Sequence, residues 1–380
     1  MRIAIAVHTY YPDRNGVQAV TQYIAEGLAQ NNQVMVITEK KGGQADEETV
    51  NHVQIKRINI KVKGYYFHGE KEKYYEYLKE WKPDIFICVC TQTWTYDWIP
   101  NKLDKLPGKK VLYTHGYSGL LEHYPILSDL LHLKLRAFIY HLHWKIYYGR
   151  AYKKIAGFDL VTYLSFNNNA FKYAKKYKLA NGIIMENAVE DRFFQSPVLQ
   201  KDKNDAIYYI YVANYDDNKN HKMVLDAFYN TDMPNARLVL AGNGEKEYYN
   251  GLEEIRQEYE RKYGSKHIKL IYGQSRKETY NLYDNADVFV CGSRKEQFPI
   301  MLCEAAAKGM AIISTSVGHA PIMPGIIIAY TQEDMQKAMQ RLYDNCKERS
   351  ERGKKLREYA LRHYRMQDKI SFFEKELRKL

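Results

Sequence analysis

The chain has 380 residues, enough for two domains of ordinary size. Hydrophobic residues make up 45% and charged residues 27%, a globular balance that excludes a largely disordered chain. The net charge of +12 points to an acidic partner, whether nucleic acid, anionic lipid or a phosphorylated small molecule, without choosing among them.

Met1–Val7 is a short apolar run that leads into a polar turn, so it reads as a first strand rather than a secretory leader. Further strands are expected at Gln33–Thr38, Val53–Ile60, Ile85–Cys90, Val111–Thr114, Leu160–Leu164 and Ile183–Met185. A second series comes at Ile207–Val212, Ala236–Ala241, Ile268–Tyr272, Val288–Cys291 and Ala311–Ser314. Helical periodicity lies between them, as in Val17–Gln30, Lys222–Tyr229 and Arg276–Tyr283. This alternation predicts an α/β protein with parallel sheets, and because it runs twice, two such domains. The boundary falls near 187–203, where Pro197 precedes a polar run and a strong new strand.

The five cysteines read as small buried hydrophobes, with Cys88 and Cys90 on one face of a strand. Met310–Gln332 is uncharged and long enough to span a bilayer, but Gly318, Pro321, Pro324 and Gly325 interrupt it; two strands joined by a turn fit better. The charged tail from Glu333 to Leu380 is helical and must lie across another surface.

Tyr124–Lys154 is basic and aromatic, with Asp129 its only acid. Leu131, Leu135, Phe138 and Leu142 recur at helical spacing. Two readings stand: a core-facing helix, or a basic amphipathic surface resting on an anionic membrane.

The richest stretch is Cys291-Gly-Ser-Arg-Lys-Glu296-Gln-Phe-Pro-Ile-Met-Leu-Cys-Glu304-Ala-Ala-Ala-Lys-Gly309. It reads as a strand end, a loop and a helix, with Pro299 at the first helical position and Gly309 as the cap. A loop at the carboxyl end of a strand is where open α/β sheets bind ligands, and a helix start offers free N–H groups to an anion. Carboxylates there accept hydrogen bonds from sugar hydroxyls, although a lone Glu before a helix is also favoured by the helix dipole.

The stretch resembles the E-x7-E signature of glycosyltransferase family 4. Ser293, Glu296, Phe298, Pro299, Glu304, Ala305, Ala307 and Gly309 match in register. The resemblance implies the GT-B fold: two Rossmann-like domains facing across a cleft. Residues 1–190 would be the N-terminal acceptor-binding domain and 191–360 the C-terminal nucleotide-sugar-binding domain. Residues 361–380 would form a C-terminal helix that packs back on the N-terminal domain. Glu296 would hold the donor sugar and Glu304 the ribose hydroxyls; Gln297, Phe298, Pro299 and Ile300 between them would belong to the donor site, where the free backbone N–H groups of the stretch bind sugar and phosphate oxygens.

Other segments resemble the same family in the right order. Val212-Ala-Asn-Tyr-Asp-Asp-Asn-Lys219 puts Lys219 on the phosphate-binding lysine and Asn214 where the family usually has Arg. Leu240-Ala-Gly242-Asn-Gly244 resembles a site-shaping G-x-G turn, and Tyr272-Gly273 falls where the base tends to be held. Met185-Glu-Asn187-Ala-Val-Glu-Asp-Arg-Phe193 resembles the interdomain hinge, with Ala188 where the family usually has Gly. Gly16, after Asn15, fits the acceptor-side loop and allows close backbone approach to the donor phosphate, and His115-Gly116 ends a strand where the resemblance implies that His115 is a catalytic-site residue near the reacting sugar. The resemblance implies a retaining transfer from a nucleoside-diphosphate sugar, with a UDP-sugar as the expected donor, and no cofactor or metal; no D-x-D triplet is present. A saccharide or lipid-linked saccharide is the expected acceptor, in surface polysaccharide synthesis. The expected location is the cytoplasm, with peripheral contact to the inner face of the plasma membrane through 124–154. Asn214 keeps open a non-catalytic sugar-nucleotide-binding subunit. The E-x7-E register argues against an epimerase. A nucleic-acid binder is suggested by charge alone, without a recognisable motif.

Overall fold

The computed structural model describes residues 1–12, 16–195 and 205–380, so Asn15, Pro197 and the polar run 200–204 lie outside the described residues. Two compact units emerge: Met1–Glu186 with Gln367–Leu380, and Asn187–Met366.

The strands of the first unit are β1 (Arg2–Ala6), β2 (Gln33–Glu39), β3 (Glu47–Val50), β4 (Val53–Ile58), β5 (Ile60–Lys63), β6 (Tyr66–Gly69), β7 (Ile85–Val89), β8 (Lys109–Tyr113), β9 (Leu160–Tyr163) and β10 (Gly182–Ile184). Eight form one sheet in the order β10-β9-β8-β7-β1-β2-β4-β3, with β5 and β6 as a separate hairpin. Every pair in the large sheet is parallel except β3–β4. Strands β7 and β9 are buried at every residue, as expected of a parallel sheet covered on both faces.

The single strand expected over Val53–Ile60 breaks at Asn59. The Glu70 carboxylate accepts hydrogen bonds from the Asn59 backbone N–H at 2.7 Å and from its side chain at 2.9 Å, and the chain enters the hairpin. Cys90 lies beyond β7 with φ of +64°, so it does not share a strand face with Cys88.

The helix Met366–Leu377 enters the second unit's boundary at Met366 and packs with the first from Gln367 onward. Ile370 sits where a Cβ on Gly27 would fall, at 2.2 Å, so the helix approach needs glycine there. Phe373 lies edge-on to Tyr113 at 5.5 Å. Asn32 donates to Glu374 at 3.0 Å, and Lys369 to Glu186 at 2.8 Å.

The segment Tyr124–Lys154 folds as the helices Ile126–Leu131 and Leu135–Ile155. The core-facing reading does not hold for its first half. Leu131 is 72% exposed and Leu135 62%, and the longer helix buries only Tyr148, Ala151 and Ile155. Its one acid is used internally: buried Asp129 pairs with His141 Nδ1 at 2.6 Å.

The second unit contains β11 (Ile207–Val212), β12 (Ala236–Gly242), β13 (Ile268–Tyr272), β14 (Val288–Cys291), β15 (Ala311–Ser314) and β16 (Ile327–Ile328). They form an all-parallel sheet in the order β13-β12-β11-β14-β15-β16. Within Met310–Gln332, the two strands expected are β15 and β16. They are parallel neighbours, so a longer connection holding a 3-10 turn at Ala320–Ile322 replaces the expected tight turn. The tail is three helices, Gln332–Asp344, Cys346–His363 and Met366–Leu377. The first two divide at Asn345, whose side chain accepts the Glu348 N–H at 2.9 Å and so caps the second. Among the described residues no helix is long and apolar enough to cross a membrane.

Candidate active site

The strand order of the second unit dictates where a ligand can sit. From β11 the chain moves outward through β12 and β13, then returns to place β14 on the other side of β11. That reversal opens a crevice beyond the carboxyl ends of β11 and β14. Lys219 comes after β11 and Glu296 after β14, so both lie on loops at this switch point.

The two loops are tied together. Arg294 N–H donates to Asn218 O at 2.7 Å, and the Asn218 side chain donates to Lys295 O at 2.9 Å. Gly292 permits the approach, because a Cβ there would lie 2.9 Å from Asn220 O and from Val224. Asp216 accepts the Lys219 N–H at 3.0 Å, and the buried Tyr211 hydroxyl donates to Lys219 O at 2.9 Å. So positioned, Lys219 Nζ meets Glu296 Oε1 at 2.5 Å, and Ser293 Oγ donates to the same oxygen at 2.9 Å. The Lys219 and Glu296 side chains are 19% and 13% exposed: sheltered, yet open to a ligand.

The helix after this loop runs over Ile300–Lys308. Pro299 is its N-cap in extended conformation, with φ −67° and ψ 112°, and not its first helical residue. The free N–H groups therefore begin at Ile300, which is half-buried; no acid in the first turn competes for them. Gly309 caps the far end with φ +79°. Gln297 is half-buried. Phe298 is buried and stacks on His319 at 3.7 Å, and its carbonyl accepts from Asn187 at 3.2 Å.

Glu304 belongs to a different cluster. Its Oε1 accepts from Arg276 at 2.6 Å and its Oε2 from the Tyr283 hydroxyl at 2.9 Å. Arg276 also binds Glu190 at 2.8 Å, and Tyr280 donates to the other Glu190 oxygen. Burial of Arg276 opposes its charge, but the two carboxylates prevail and hold its pKa above the usual arginine value. Arg276, Glu190, Tyr283 and His319 were not singled out from the sequence. Tyr272-Gly273, just before Arg276, and the hinge segment 185–193, which contains Glu190, pointed near the cluster.

Asn214 lies exposed just beyond β11. Glycines 242 and 244 let the next loop press against its backbone. A Cβ on Gly242 would fall 1.8 Å from Ala213 O, and one on Gly244 2.8 Å from Tyr215 O. Gly242→Ala should therefore destabilise the protein by about 1–3 kcal/mol, as overpacking against rigid backbone does, read from the midpoint of urea unfolding. Tyr272 ends β13, 37% exposed; its hydroxyl donates to Gly244 O at 2.8 Å and Lys246 lies 4.1 Å over its ring.

Gly16 and His115 belong to the first unit. Gly16 starts the helix Gly16–Ala29, with open space where a Cβ would be. His115 comes after β8, with its ring 5.2 Å from that of Tyr113. Its Nε2 is buried without a hydrogen-bond partner among the described residues. Burial lowers its pKa to about 4, so the ring is neutral at pH 7. Among the described residues no group of three His, Cys, Asp or Glu is arranged to hold a metal ion.

Family comparison divides the chain as the two sheets do. "Glycosyl transferases group 1" matches residues 191–360 and "Glycosyltransferase Family 4" matches residues 14–165. No curated protein sequence matches the chain. Among solved structures, sucrose-phosphate synthase from Thermosynechococcus elongatus superposes with a TM-score of 0.75 at 15% identity, covering 100% of this chain and 98% of that one. HepE from Anabaena, in complex with UDP-glucose, gives 0.72 at 12% identity, covering 100% of both chains. WaaG, a glycosyltransferase involved in lipopolysaccharide biosynthesis, gives 0.65 at 16% identity, covering 94% of this chain and 95% of that one. At such identities the likeness establishes the fold, and the family matches establish the lineage: the chain belongs to the group 1 and family 4 glycosyltransferases, with the GT-B fold.

Proposed function

We propose that this glycosyltransferase moves a sugar, with retention of configuration and without a metal, from a UDP-sugar to a hydroxyl of a saccharide or lipid-linked saccharide in surface polysaccharide synthesis. The observation that carries the reading is the Lys219–Glu296–Ser293 cluster at the switch point, beside the uncapped N–H groups at Ile300. In this reading residues 191–360 hold the donor and 1–190 the acceptor, and the C-terminal helix packs back on the acceptor domain from Gln367 onward, not from 361. The complex of HepE with UDP-glucose supports the donor class, and the involvement of WaaG in lipopolysaccharide biosynthesis supports the pathway.

Donor entry would exchange partners. The diphosphate takes the Lys219 ammonium and the helix start, where developing negative charge on the leaving group is stabilised. Glu296, released from Lys219, accepts hydrogen bonds from the sugar hydroxyls. Glu304 has two lone-pair positions engaged by Arg276 and Tyr283, and a carboxylate offers about four, leaving room for ribose hydroxyls. Asn214 supplies only a neutral hydrogen bond to the diphosphate. His115, neutral, keeps an unpartnered Nε2 for a hydrogen bond to substrate, and the leaving phosphate takes the acceptor proton. The test is product analysis with purified protein: a UDP-sugar should be consumed, EDTA should leave the rate unchanged, and the product should keep the donor's anomeric configuration. Inversion would overturn the mechanism.

The exposed face of 127–139 supports the membrane reading. Leu127, Leu131, Leu133, Leu135 and Ile139 are all more than half exposed, next to Lys134 and Arg136. Apolar side chains entering the interface gain about 1.5–3 kcal/mol each on full burial, and each basic residue near an anionic surface about 1 kcal/mol. The protein should float with phosphatidylglycerol vesicles at low salt, and Leu135→Glu/Ile139→Glu should lower that partition at least tenfold. Equal flotation of the variant would place the contact elsewhere.

A further inference from the structure

A cavity of about 640 Å³ lies wholly in the first unit. That volume falls within the range of about 300–1,000 Å³ usual for small-molecule sites. Its walls are the loop 120–124, the helix Leu135–Ile155 around Gly149, and the helix Asn169–Lys176 with Tyr177.

The lining has a consistent chemistry. Tyr124, Tyr148, Tyr173 and Tyr177 supply aromatic surface. The Tyr173 hydroxyl is committed to Tyr148 O at 2.5 Å, and Tyr177 is stacked on Tyr152 at 4.4 Å, so the rings are held in place. Lys145, Lys172 and Lys176 supply charge. The one acid in the lining, Glu122, is 4.0 Å from Lys172 and 84% exposed. Lys145 and Lys176 have no carboxylate partner among the described residues, so the cavity keeps an unneutralised positive charge.

Its position joins it to the acceptor side of the sheet. The loop 120–124 continues from His115 at the carboxyl end of β8. Asn169, in the cavity wall, accepts the Tyr117 N–H at 3.0 Å and donates to Tyr117 O at 2.7 Å. The loop that carries His115 and the cavity wall are therefore one hydrogen-bonded piece.

We propose that this cavity binds a phosphate ester attached to a sugar ring, as the recognition element of the acceptor; the acceptor role rests on the function proposed above. The sugar's C–H face packs on the tyrosines and the phosphate sits between Lys145 and Lys176. Phosphate fits better than carboxylate, because every lining cation of fixed charge is lysine, a point charge, with no guanidinium fork for a planar carboxylate. The sugar phosphate can be soluble or lipid-linked. The helix that lends Lys145 and Gly149 also carries exposed Leu135 and Ile139, which suits the lipid-linked form.

The test is calorimetric titration of the full chain with glucose 1-phosphate, glucose and inorganic phosphate, with UDP titrated into the same samples. Glucose 1-phosphate should bind at least tenfold more tightly than glucose or phosphate alone. Lys145→Glu/Lys176→Glu should weaken it at least tenfold and leave UDP binding unchanged. Gly149→Leu keeps the lysines and fills the cavity; a Cβ there meets nothing within 4 Å, so the fold tolerates it. It too should abolish glucose 1-phosphate binding. If UDP binds and both variants take glucose 1-phosphate as the parent does, the cavity proposal is overturned and the donor reading stands. If both variants lose glucose 1-phosphate binding but UDP does not bind the parent, the cavity stands as a sugar-phosphate site and its acceptor role falls with the donor reading. A third arm uses phosphatidylcholine vesicles carrying polyprenyl-phosphate-linked glucose: tighter binding than to glucose 1-phosphate identifies a lipid-linked source, equal or weaker binding a soluble one.

Discussion

Glu296→Ala should lower sugar transfer well over tenfold, and Lys219→Ala should do the same, with neither variant unfolding. Each tenfold loss corresponds to about 1.4 kcal/mol of transition-state stabilisation. A unit charge about 4 Å from a phosphate is worth on the order of 4 kcal/mol at an effective dielectric near 20, before desolvation, so losses beyond a hundredfold are within reach for Lys219. The two side chains form one ion pair before donor arrives. Each single variant therefore leaves its partner unpaired in a sheltered place, and the double variant should lose less than the product of the single losses. Steady-state kcat and KM for the UDP-sugar, with circular dichroism as a control for folding, give the measurement. Full activity in Glu296→Ala would sink the site assignment.

The second unit should lose stability steeply as pH falls below 6.5. His221 and His319 are fully buried, and burial lowers the pKa of each to about 3. His221 is packed between the rings of Tyr211 and Tyr215, each at 4.7 Å; His319 lies flat on Phe298 with Nδ1 unpartnered. Unfolded, both titrate near 6.5, so between pH 6.5 and about 3 the unfolded chain binds more protons than the folded one. Stability then rises with pH across that window and is fully present only above 6.5. Two groups give a slope of about 2.7 kcal/mol per pH unit, enough to remove a typical domain's margin of about 5–15 kcal/mol within a few units. Urea unfolding between pH 6.5 and 5 avoids the titration of ordinary carboxylates. His319→Phe, which keeps the stack, should halve the slope. In the first unit Asp97 works in the opposite sense. Burial raises its pKa to about 6, against the Tyr147 hydrogen bond, so its contribution falls as pH rises from about 4 to 6. An unchanged slope in His319→Phe would show that His319 is protonated in the folded protein.

How far the sequence reaches differs between elements and contacts. The parallel strands were legible because a strand buried on both faces must be a run of Val, Ile, Leu and their like, and such runs punctuate the chain at regular intervals. Strand β3 and the hairpin β5–β6 were missed because all three are four-residue, largely exposed strands, β3 and β5 charged and β6 the short Tyr-Phe-His-Gly, and none carries such a run. The loop and helix over 291–309 were legible since strand end, N-cap, helix and Gly309 cap are all local. Even there the helix started one residue later than expected. Whether 127–139 turned inward could not be read from periodicity, because a helix presents the same stripe to a core or to a lipid surface. By itself, the sequence determined the alternation of elements, the two sheets and the residue types at the donor loop, since these rest on local backbone preference and on patterned burial. Only the tertiary structure decided which side chains meet. Strand order brings Lys219 to Glu296 across 77 residues, and helix packing brings Arg276 to Glu190 across 86. These pairings arise from the summed packing of the whole sheet, which no short stretch of chain encodes.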